Sequence, residues 1–175
     1  MGRLLQRFFD ICLLRAGPQD LPASRFLLWV SLLAYGAVGL VMSAQNLDVG
    51  RAILLVVLDT ALLAALLFAL LWSRALLERL PQTLTALLGT GAILQLVALP
   101  ILSWQQAGLG DDTITTALMI ASLLLWIWLL WDLLVIGHIL RHTLSTRLPV
   151  GVLLALAYLF ISYSVTRILF FPETR

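Results

Sequence analysis

A chain of 175 residues that is 62% hydrophobic and 11% charged carries more apolar surface than a soluble domain of its size can bury. Its formal charge of +2 comes from eleven arginines, no lysine and nine acids, and the arginines are spread over several connections, which argues against a nucleic-acid-binding patch. One cysteine, Cys12, excludes an internal disulfide.

Residues 1–25 open the chain with arginines but lack the uninterrupted apolar run of a signal peptide. At about 100° per residue, Leu4, Leu5, Phe8, Phe9, Ile11, Cys12 and Leu13 share one broad face and Arg3, Gln6, Arg7 and Asp10 the other. The pattern predicts an amphipathic helix that lies in the membrane surface or packs on the ends of its own bundle, with Gly17 and Pro18 as its stop.

Five apolar stretches follow, at 26–44, 52–72, 83–103, 114–140 and 148–171. About 20 residues rising ~1.5 Å each cross the ~30 Å hydrocarbon layer. The expected architecture is therefore all-α: a segment 1–25 ahead of a five-helix transmembrane domain, 26–175. Helices in lipid gain by close approach at small residues. Such spacing occurs at Gly39/Ser43, at Ala61/Ala65/Ala69, at Thr85/Gly89, at Ala117/Ala121 and at Gly151/Ala155. Pro100 is expected to kink the third span or open its last turn. Trp29, Trp72 and Trp104 sit near span ends, as interfacial indoles do, whereas Trp126, Trp128 and Trp131 are expected to pack within the bundle.

Ionisable residues inside a membrane are costly and point to function by default. Asp59 and Arg167 fall at similar depth and are expected to form an ion pair, with Gln95 and Tyr163 completing a polar cluster. Asp132 lies deeper, near Tyr158, and no chain of titratable groups joins it to Asp59 along the sequence. His138 and His142 share a helix face, but two ligands are too few for a metal and no third histidine exists for a haem. They are expected at the interface with Arg3, Arg7 and Arg141. No G-x-S-x-G, C-x-x-C, H-E-x-x-H or phosphate-binding loop is present, so no catalytic residue, cofactor or metal is expected.

The amphipathic start, the run QTLTALLGTGAILQLVALPILSW with Pro100, and the run LLLWIWLLWDLLVIGHILRHTLSTRLPVGVLLAL with Gly137 and the short loop Arg141 to Arg147 resemble the YIP family of five-span membrane proteins. The resemblance implies a five-helix bundle with its N-terminus inside and C-terminus outside. The soluble N-terminal domain that eukaryotic members expose to trafficking partners has almost no counterpart here, so GTPase binding is not implied. The resulting expectation is a non-enzymatic interaction, scaffold or assembly component, in contact with lipid and self-associating or bound to another membrane protein. The absence of lysine fits a GC-rich bacterium and hence its inner membrane. The rival is a small transporter or channel subunit that uses Asp59, Asp132 and Arg167.

Eight arginines precede the first span or separate spans two and three and spans four and five, whereas Arg51 and Arg175 lie on the opposite side. Cytoplasmic loops retain positive charge during insertion. A reporter fused after Arg175 is expected to read periplasmic and one placed after Glu78 cytoplasmic; the reverse at both sites would overturn the five-span topology.

Overall fold

The computed structural model describes residues 2–108 and 116–170, which form six α-helices and, among these residues, no strand. They are α1 (Gly2–Cys12), α2 (Arg25–Ser43), α3 (Val49–Ser73), α4 (Leu80–Gly108), α5 (Thr116–Leu144) and α6 (Leu148–Phe170). The last five are long and apolar enough to cross a membrane and match the five expected spans to within a few residues. Part of the loop between spans three and four, with Asp111 and Asp112, lies outside the described residues, as does Arg175.

Helix α4 is the hub. Half of its most apolar window is buried inside the bundle, against 11–17% for the other spans, and it packs on α2 and α5 while α6 packs on α5 and α3. It continues through Pro100 to Gly108, so the proline does not open its last turn. Because α4 has protein on most sides, its buried threonines bond back along the chain. The hydroxyls of Thr83, Thr85 and Thr90 each donate to the carbonyl four residues back, at 2.7–2.8 Å.

Close contacts fall where side chains are absent. A Cβ on Gly151 of α6 would collide with the carbonyl oxygen of Gly137 on α5, and one on Gly137 would lie 2.9 Å from the backbone nitrogen of Val152. Ala155, one turn on, is fully buried. On α4, Phe8 fills the space above Gly89, and Tyr35 lies over Gly91, where a Cβ would come within 2.8 Å of its ring. The strip Ala61, Ala65 and Ala69 on α3 behaves otherwise: all three face outward, and Leu63, Leu67 and Leu71 form the buried face. Small residues permit close approach, but α3 buries its larger apolar side chains instead.

The amphipathic helix α1 is docked on the bundle. Phe8, Ile11 and Cys12 are buried against α4 and α5, and the indole of Trp131 donates to the Cys12 carbonyl at 3.0 Å. Leu5, Phe9 and Leu13 remain about half exposed on its other side, so the helix has one apolar flank on protein and one free for lipid. Burial, with the Asp132 charge nearby, pushes the Cys12 thiol up to about 12 and leaves it uncharged and unreactive at neutral pH. Trp126 faces outward, contrary to expectation, whereas Trp128 reaches from α5 to α4, donating to the Leu94 carbonyl at 2.9 Å.

The predicted stop at Gly17 and Pro18 comes too late. Helix α1 ends at Cys12, the φ of 61° at Leu14 is left-handed, and the Arg15 N–H closes back on the Asp10 carbonyl. The same cap recurs at Ala75 and Ser145, with bonds from Leu76 to Leu71 and from Thr146 to Arg141. In each case a side-chain-bearing residue takes the position glycine usually fills. All three caps lie at one end of the bundle, with Arg74, Arg79, Arg141 and Arg147; it is called the arginine-rich end below. There Arg79 donates to the Thr143 carbonyl at 2.6 Å, tying α4 to the end of α5.

The Gly137–Gly151 crossing yields a prediction. Replacing Gly151 by Leu is expected to lower the thermal midpoint in detergent by the equivalent of about 2 kcal/mol or more, as overpacking does. Ala65→Leu, on the outward face, is expected to stay within about 0.5 kcal/mol. Equal effects would place the close contact elsewhere.

Candidate functional site

The bundle interior holds a polar cavity of about 140 Å³ at mid-depth. Five helices contribute: Tyr35 from α2, Asp59 from α3, Thr90 and Gln95 from α4, Trp128 and Asp132 from α5, and Tyr158 and Ser162 from α6. Asp59 and Asp132 thus line one space, although nothing in their spacing along the chain connects them. No lining residue is basic.

Hydroxyls, not the guanidinium of Arg167, hold the Asp59 carboxylate. Tyr35 donates to one oxygen at 2.6 Å, and Tyr158 and Ser162 donate to the other at 3.1 and 2.9 Å. The reason is helical register. Tyr158, Ser162 and Thr166 recur every four residues on the face of α6 that looks toward Asp59, and Arg167 lies about 100° round from that face and is exposed. The expected Asp59–Arg167 pair is therefore corrected to a three-hydroxyl cradle. Tyr163 is also turned away, 64% exposed, whereas Gln95 does enter the cluster. Tyr158, placed near Asp132 by depth, is bonded to Asp59.

Two acceptors in this cavity are left over. The Oε1 of Gln95 is buried with no donor, and none of the hydrogen bonds of the described residues reaches the Asp132 carboxyl. The neighbouring donors are already committed: Trp128 to Leu94 and Thr90 to the Ala86 carbonyl.

Two further cavities adjoin this one. Toward the end opposite the arginines, a space of about 230 Å³ shares Tyr35, Asp59 and Gln95 with it and reaches Met42, Ser43 and Thr166. Toward the arginine-rich end, an almost wholly apolar space of about 280 Å³ shares Leu63, Leu87, Ile136 and Tyr158 with it. The three lie end to end along the bundle, with the carboxyls at the middle.

The interfacial residues divide. Arg3 and Arg7 are exposed on α1 as expected. His138 is not interfacial: it is 3% exposed, and its Nε2 donates to the Ala16 carbonyl at 2.9 Å, which pins the segment after α1 to α5. His142 packs edge-on against it at 4.6 Å, and an Arg141 Nη faces the His142 Nε2 at 3.4 Å. Among the described residues no group of three metal-ligating side chains occurs.

Tyr35 and Ser162 were not singled out from the sequence, nor were Thr90 and Trp128 as site residues. The available signal was a tyrosine in the middle of an otherwise apolar first span and a Tyr-x-x-x-Ser spacing on the fifth. No family model, curated protein or solved structure matches the chain.

A hydrogen bond to a charged group contributes about 1.5–3 kcal/mol. Tyr35→Phe is expected to destabilise the bundle by about 2 kcal/mol, and the double change with Asp59→Asn to cost clearly less than the sum of the singles. Additive losses in detergent unfolding would show that the tyrosine does not hold the carboxylate.

Proposed function

We propose that this chain is a small cation-handling membrane protein, a transporter or channel subunit, whose working part is the chamber lined by Asp59 and Asp132. The observation that carries the reading is the joint placement of two carboxyls and the donorless Gln95 Oε1 in one intramembrane cavity without a basic residue. In a medium of low dielectric, two carboxyls facing one space demand a proton or another cation between them. A purely structural aspartate would have its oxygens satisfied, as those of Asp59 are; Asp132 has no such partner. Arg167 has no part in this chamber. We place the protein in the inner membrane of a bacterium, with α1 and the arginine-rich end cytoplasmic, on the strength of the arginine distribution. The chamber then adjoins the cavity at Ser43 and Thr166 on its periplasmic side and the apolar one on its cytoplasmic side.

The second reading, a non-enzymatic YIP-like interaction or assembly component, draws on the outward Ala61–Ala65–Ala69 strip, a surface suited to another helix. One experiment separates the two. In proteoliposomes with a pH-sensitive dye inside, and in parallel ones with a dye sensitive to monovalent cations, wild-type protein is expected to carry protons or such cations, and Asp132→Asn to reduce the rate at least tenfold with its thermal midpoint retained. Absence of flux in the wild type, together with co-purification of a stoichiometric membrane partner, would replace the transport reading with the interaction one.

A further inference from the structure

The geometry points to an organic ammonium ion with a short apolar tail as the occupant of the central and apolar cavities, an inference that rests on the cation-handling reading and names its substrate class. Hydrogen-bond accounting selects the head. The hydroxyl and indole donors around the central cavity are spent on protein acceptors, and what faces the space is the Asp132 carboxyl and the Gln95 Oε1, beside the charge of Asp59. A group that brings positive charge and several N–H donors answers both needs, and a primary ammonium carries three. A neutral acceptor would find only the Gln95 amide nitrogen as a donor, and an anion would face two carboxyls.

The adjoining space selects the tail. Its lining is aliphatic, including Leu67, Leu140 and Leu154, and its volume is about 280 Å³. An apolar cavity of ~150 Å³ suffices for benzene, so this one admits a chain of roughly six to ten carbons. The two cavities share four lining residues, which sets head and tail one short molecule apart. An inorganic cation would leave the larger apolar space unused.

Calorimetric titration of the full chain in nanodiscs, with empty nanodiscs as background, tests this with hexylammonium, methylammonium and hexanol. Hexylammonium is expected to saturate at one site at least tenfold more tightly than either of the others. Asp132→Asn is expected to weaken it at least tenfold by removing the counter-charge, and Ala157→Phe to do the same by filling the tail cavity, each with an unchanged thermal midpoint. The ligand series in the wild type stands even where a variant fails to fold. Equal affinity for methylammonium would overturn the tail, and equal affinity for hexanol the charged head. No saturable binding while ion flux persists would overturn the substrate class alone; loss of both would remove the chamber reading with it.

Discussion

Hydrocarbon offers no water to complete a hydrogen bond, and this structure is organised by that constraint. The backbone meets it by remaining helical through all five spans. The side chains meet it locally wherever they can. Threonines of α4 return their hydroxyl protons to their own helix, Thr143 of α5 does so at 2.9 Å, and the Trp128 indole reaches across to Leu94. Asp59 draws its three donors from two other helices, α2 and α6, because one carboxylate needs several donors and its own helix presents none. Against this background the Gln95 Oε1 is buried without a donor, and it shares with the Asp132 carboxyl a space to which all five spans contribute.

Close packing at glycine places the donors of this chamber. Tyr35 lies over Gly91, so the approach of α2 to α4 determines where its hydroxyl meets Asp59. The Gly137–Gly151 crossing brings α5 and α6 to near-backbone contact, which carries Asp132 and the Tyr158–Ser162 face of α6 to the same depth. Without a hydrophobic drive between helix and lipid, such contacts hold the spans together by dispersion and interhelical hydrogen bonds. A larger residue at either glycine would separate the helices and, with them, the walls of the cavity.

The first helix extends the same logic to the arginine-rich end. Docking of α1 covers Cys12 and places the Asp132 charge near it, so the amphipathic segment forms part of the surroundings of the chamber. Trp131, His138 and Gln82 bind carbonyls of the segment from Cys12 to Leu21, and these bonds hold it beyond the single 3-10 turn at Pro18–Asp20. Of the two placements expected for it, the structure shows packing on the bundle, and Leu5, Phe9 and Leu13 keep an apolar flank turned outward.

The helical class, the five spans, the amphipathic start and the close approach at Gly151 and Ala155 were legible in the residues alone, because each depends on length, period or the size of a residue at a known spacing. Helical register in space was not. Whether Ala65 or Leu67 of α3 turns inward, and whether Arg167 or Thr166 of α6 looks at Asp59, depends on how neighbouring helices rotate about their axes, and every face of such apolar helices reads much alike. The caps at Leu14, Ala75 and Ser145 were hidden for a related reason: tertiary contacts hold a left-handed turn that local preference would assign to glycine. Depth along a span follows from counting residues; the meeting of Asp59 and Asp132 in one cavity needed azimuth as well, which only packed helices define.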